Sequence, residues 1–168
     1  TFRVMSKLFL IPNILSISRI VLTPVIVCTF LFPLSGINFL SPSLFLLASI
    51  SDFFDGYIAR KYNSETKLGA LLDLIGDKTL VVIILLCLIF KLDSYSIFLA
   101  TCMIIFREIV ILSLRSLEGQ EKVSVIFSAK FKTTLQMIAI FLLLFSPNEV
   151  FYYSLLAGEL ILWLSVIM

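Results

Sequence analysis

The chain has 168 residues, 60% of them hydrophobic and 14% charged, with a mean hydropathy of +1.12 and a net charge of +2. A soluble domain of this length is nearer half apolar and a quarter charged, and its core is too small to hide the excess, so lipid must cover the outside. The absence of histidine excludes His-ligated zinc, His-ligated haem and Ser-His-Asp catalysis, and so small a net charge gives no case for a nucleic-acid partner.

Six apolar segments follow in chain order, which predicts an all-α polytopic membrane protein of six transmembrane helices. Before the first, Thr1–Leu10 precedes Pro12 and spaces Arg3 and Lys7 one turn apart, which predicts a short helix lying in the interface. The sequence opens on Thr1 rather than Met, so further residues are expected ahead of it. No charge occurs from Ile20 to Ser51. As one helix that stretch would be about 48 Å long, well beyond a hydrocarbon core of about 30 Å. It must turn, and Pro33, Gly36, Asn38 and Pro42 mark where. Spans are expected near Ile14–Leu34, Ser43–Arg60, Leu68–Phe90, from Ser94 to about Leu117, Ala129–Phe145 and Phe151–Met168. Polar tracts separate them at Lys61–Lys67, Lys91–Ser94, Glu118–Ser128 and Ser146–Glu149. No internal repeat or second domain interrupts residues 1–168. Cys28, Cys87 and Cys102 lie in separate apolar runs and read as small buried hydrophobes.

The basic residues orient this array. With a cytoplasmic N-terminus, Arg3, Lys7, Arg60, Lys61, Lys67, Arg115, Lys122, Lys130 and Lys132 fall on one side, and only Lys91 falls in the opposite loops. The asymmetry places both termini in the cytoplasm.

Charges inside the spans cost several kcal/mol each in hydrocarbon and mark function by default. Four carboxylates stand on two adjacent spans: Asp52 and Asp55 late in the second, Asp73 and Asp77 early in the third. Spacings of three and four put each pair on one helix face. The small residues Gly56, Ala59, Gly69 and Gly76 share those faces and admit a close backbone or a bulky polar ligand. Counted from the connecting loop, Asp52 and Asp77 sit roughly 12–15 Å deep. Four carboxylates there repel unless a cation neutralises them, and an oxygen-only donor set favours Mg²⁺ or Mn²⁺, ions that usually serve phosphate chemistry. The bland alternative is a set of ion pairs with Arg60, Lys67 and Lys78, which would leave the flanking Gly and Ala positions without a purpose.

Asp52-Phe-Phe-Asp55-Gly56-Tyr-Ile-Ala59-Arg60, followed by Gly69, Asp73 and Asp77, resembles the signature of the CDP-alcohol phosphatidyltransferase family at each defined position. The likeness extends to Ile11-Pro12-Asn13, Ser18-Arg19, Arg107-Glu108, Leu114-Arg115 and Ala129-Lys130-Phe-Lys132-Thr-Thr, softer motifs similar to those of bacterial members that act on glycerol 3-phosphate. The resemblance implies a homodimeric multi-pass enzyme of the cell (inner) membrane, taking CDP-diacylglycerol and glycerol 3-phosphate at a site facing the cytoplasm. It implies two divalent ions held by Asp52, Asp55, Asp73 and Asp77, with Asp52 and Asp73 bridging and Asp77 also acting as base. It places Gly56, Ala59, Arg60, Thr66, Gly69 and Arg19 on the CDP-diacylglycerol. The chemistry of these residues agrees: Gly56 permits close approach, Arg60 can fork onto a pyrophosphate, and Thr66 can cap the third span beside an anion.

Arg107, Arg115, Lys130 and Lys132, toward the cytoplasmic side, are expected to bind the acceptor phosphate. Arg107 has a second use, an ion pair with neighbouring Glu108 or with a carboxylate elsewhere in the bundle, and Lys130 and Lys132 can instead snorkel to lipid headgroups. The basic surround favours a phosphorylated alcohol over serine and does not by itself exclude inositol phosphate. A cation channel or transporter would need carboxylates at successive depths, whereas all four cluster in the cytoplasmic half.

Overall fold

A computed structural model describes the backbone of residues 2–32, 39–62, 67–117, 127–145 and 152–168, and side chains over 17–32, 39–51, 69, 74–113, 131–145 and 153–168. Six helices follow in order: α1 Phe2–Leu31, α2 Leu40–Tyr62, α3 Lys67–Leu92, α4 Tyr95–Leu117, α5 Phe127–Phe145 and α6 Tyr152–Ile167. There is no strand among the described residues. The turns expected around Pro33–Asn38 and Ser146–Glu149, and most of the tract Glu118–Ser128, lie outside them.

One expectation is corrected. No separate interfacial helix precedes the first span: α1 runs unbroken from Phe2 through Pro12 and Pro24 to Leu31. Proline removes one helix hydrogen bond and crowds the preceding turn. In an apolar surround the other backbone groups have no water to turn to, so the helix persists through it. Pro42 causes no break either, because it falls in the first turn of α2, where the backbone N–H groups have no helical partner in any case.

The junction between α3 and α4 is local chemistry. Asp93 adopts a φ of 47°, the left-handed conformation that ends α3 and that Asp tolerates better than most residues. Ser94 then caps α4, its Oγ accepting from the Ile97 backbone N–H at 3.4 Å and donating to Glu159 Oε1 at 2.9 Å.

The chain forms two compact units, residues 1–84 and 85–168. In the first, α1 packs on α2. Arg19, Thr23, Ile26 and Phe30 make one buried stripe on α1, and Ser41, Phe45 and Ala48 one on α2, each at spacings of three and four. In the second, α6 packs on α5 and on α4. Its core comprises Ile97, Ala100 and Ile104 of α4, Ala139, Ile140, Leu143 and Leu144 of α5, and Leu162 of α6. Gly158 lets α6 approach closely, since a Cβ there would stand 2.8 Å from Leu143 Cγ.

The outward faces are as apolar as the cores: Phe98, Leu99, Met103, Phe106 and Ile109 of α4 are all exposed. Such a surface suits lipid and not water. Tyr95–Ser113 is long and apolar enough to cross a membrane, the one such segment among the described residues; the apolar parts of α1, α2, α5 and α6 are shorter. Hydroxyls within the helices are satisfied locally. Thr23, Ser49 and Thr101 donate to the carbonyls of Arg19, Phe45 and Ile97, one turn back, so none needs water.

Candidate active site

Helices α2 and α3 carry the four carboxylates. Asp52 and Asp55 stand three apart on α2, and Asp73 and Asp77 four apart on α3, so the expected register holds and each pair shares a face. Asp77 is the member whose side chain is described. The side chains of Asp52, Asp55, Gly56, Ala59, Arg60, Asp73, Arg115 and Lys130, and all of Thr66, lie outside the described residues.

Asp77 is held by an ion pair that sequence reasoning missed. Arg19 of α1, expected on the CDP-lipid, is completely buried and its Nη1 donates to Asp77 Oδ1. The Asp77 side chain keeps 35% of its surface. A guanidinium of no accessible surface has lost its hydration, and a carboxylate is the partner that offsets this. The partners weighed from sequence for the acidic face were Arg60, Lys67 and Lys78, close in the chain. The partner of Asp77 comes from 58 residues away, a separation no periodicity reveals. Gly69 of α3 is half-buried.

The donor set fits a divalent cation. Four carboxylates on two helices offer only oxygen, the chemistry of Mg²⁺ and Mn²⁺ sites. The Asp77 side chain is 35% exposed beside Arg19, so the ion pair does not enclose it.

Among the residues expected to take the acceptor phosphate, Arg107 and Lys132 are described, both in the second unit. Arg107 realises the ion pair weighed as its alternative. Its Nη2 and Nε donate to Glu108 Oε1 at 3.0 and 3.3 Å, and its Nη1 to the Ser165 carbonyl of α6 at 2.7 Å. These bonds engage three of the five guanidinium N–H groups, which leaves two for a ligand. Lys132 is half-buried in the second turn of α5.

The sequence profile of the CDP-alcohol phosphatidyltransferase family matches residues 9–168, and the chain belongs to that family. Several relatives are named CDP-diacylglycerol–glycerol-3-phosphate 3-phosphatidyltransferase. The Rickettsia bellii protein is 45% identical over 92% of this chain and 86% of its own length. Those of Wigglesworthia glossinidia brevipalpis and Salmonella choleraesuis are 38% and 36% identical, over 94% and 92% of this chain and 87% and 90% of their own lengths.

Proposed function

We propose that this protein transfers the phosphatidyl group of CDP-diacylglycerol to sn-glycerol 3-phosphate, giving phosphatidylglycerol phosphate and CMP. The observation that carries this reading is the match to relatives bearing that activity in their names, at 36–45% identity over nearly the whole chain. The whole of residues 1–168 acts as one membrane domain of six spans, in the inner membrane, with the site open to the cytoplasm and a second copy completing a homodimer. The depth of the aspartates supports this arrangement: diacyl chains stay in the bilayer while the nucleotide and acceptor enter from water.

Asp77 takes the proton of the acceptor's primary hydroxyl. That oxygen attacks the β-phosphorus in line, and the bond to CMP breaks. Arg19 supplies Asp77 with a countercharge and fixes the direction of its carboxylate. Gly56, Ala59, Arg60, Thr66 and Gly69 bind the CDP moiety, and Arg107, Arg115, Lys130 and Lys132 take the acceptor phosphate. Asp52, Asp55, Asp73 and Asp77 are the residues that would hold divalent ions, Mg²⁺ or Mn²⁺. When bound, such ions supply charge neutralisation at the pyrophosphate.

The test is CMP release from CDP-diacylglycerol by purified protein in mixed micelles, with glycerol 3-phosphate, inositol phosphate and serine offered separately. Turnover with glycerol 3-phosphate alone is expected. Turnover with inositol phosphate and none with glycerol 3-phosphate would overturn the acceptor assignment while leaving the family chemistry intact.

A further inference from the structure

Among the described residues, Arg19 is the one charged residue with no exposed surface. It lies in the α1 stripe with Thr23, Ile26 and Phe30, within the unit of residues 1–84 that also holds the four aspartates. Its Nη1 donates to Asp77 Oδ1. Its Nε is sealed from solvent as well and meets no acceptor among the described residues. A leucine or methionine would continue the stripe without the cost of that buried donor, so packing alone does not account for an arginine here.

Burial also fixes where the charge can go. A basic side chain that reached the membrane surface could leave Asp77 for lipid headgroups or water. A buried guanidinium stays beside the carboxylate and keeps its charge, since arginine does not deprotonate in proteins. Any cation that Asp77 ligates therefore shares a carboxylate with a resident positive charge. Within a span that repulsion is strong, because little water or salt screens it.

We propose that Arg19 is a resident countercation at Asp77, neutralising the carboxylate when no metal is bound and holding down the site's affinity for a divalent ion. This rests on the reading above, in which the four aspartates hold Mg²⁺ or Mn²⁺, and deepens it by naming a residue that sets how tightly they do so. Arg19 also fixes the direction of the carboxylate, which by itself would favour ligation. The two effects have opposite signs, and burial makes the repulsion the larger one.

The experiment measures Mn²⁺ binding by the full chain in detergent, without either substrate, from the loss of the free-ion electron paramagnetic resonance signal. Wild type, Arg19→Met and Arg19→Lys are compared, and thermal unfolding is followed with chelator and with Mn²⁺. In Arg19→Met the Kd for Mn²⁺ is expected to fall at least about tenfold, while Arg19→Lys, which keeps the charge, stays within about threefold of wild type. Mn²⁺ should raise the unfolding temperature of Arg19→Met more than that of wild type, because tighter binding stabilises the folded state more. An unchanged or raised Kd in Arg19→Met overturns the proposal, as does an equal fall in Arg19→Lys. If Arg19→Met yields no folded protein, Arg19→Gln is put through the same measurements, with the same outcomes deciding. Asp77→Asn separates the two kinds of failure. Mn²⁺ binding that Asp77→Asn leaves unchanged, or that is absent from wild type and variants alike, refutes the metal reading itself and this role with it, a failure distinct from that of Arg19 alone.

Discussion

Replacing Arg19 by methionine removes the guanidinium that meets Asp77 while keeping most of the side-chain length in a fully buried position. The cavity left is small, so the main loss is a charge-assisted hydrogen bond, about 1.5–3 kcal/mol. The Asp77 side chain left behind is 35% exposed, which holds the penalty toward the lower part of that range. The reverse change costs more. Asp77→Asn turns a guanidinium with no exposed surface toward a neutral amide, and removing one partner of a buried pair costs about 3–5 kcal/mol, the lower end applying because Asn still accepts a bond. A double variant should therefore lose little more than Asp77→Asn alone. Thermal or denaturant unfolding in detergent, with chelator present so that no added metal contributes, reads all four corners of the cycle. Losses that add to within about 0.5 kcal/mol would show the two residues to be independent and refute the pairing argument. Activity gives a second readout. Arg19→Met should lower kcat through Asp77, with Arg19→Lys recovering part of it. A rise confined to the CDP-diacylglycerol KM at unchanged stability would return Arg19 to lipid binding.

Gly158→Ala places a Cβ 2.8–2.9 Å from the Leu143 side chain and should cost about 1–3 kcal/mol of stability, partly recovered by Leu143→Ala; unfolding temperatures of the two singles and the double check this. Single cysteines at Asn63 and Gln120 should react with an impermeant thiol reagent only from the cytoplasmic face and one at Asn38 only from outside, and identical sidedness for all three would defeat six spans. Arg107→Ala should raise the glycerol 3-phosphate KM about ten- to a hundredfold while the CDP-diacylglycerol KM moves much less. Loss of stability with both KM values shifting together would reduce Arg107 to its bonds with Glu108 and Ser165.

Hydropathy alone located the helices, because burying backbone polar groups in lipid leaves a chain of this composition little but helix, and an apolar run reads directly as a span. The expected segments Leu68–Phe90 and Ala129–Phe145 differ from α3 and α5 by two residues or fewer at each end. Local rules also explain the Asp93–Ser94 junction, where a left-handed Asp and a capping Ser lie between two apolar runs. The same rules misplaced a break at Pro12, because they weigh proline as water-soluble helices feel it.

The aspartate register was fixed by sequence, since spacings of three and four need only a helix to share a face. Which cation meets Asp77 was not, because Arg19 comes from another helix 58 residues away and only packing chooses it over nearer lysines and arginines. Gln136 shows the same division. In the sequence it is one polar residue beside Lys132 and two threonines, and nothing in its neighbours tells inward from outward. Tertiary packing turned it into the buried face of α5, where it is 5% exposed, and burial depends on which elements pack around the helix. Composition and spacing determined what kind of protein this is, while charge partners and buried polar groups, being properties of non-local contacts, were decided by the fold.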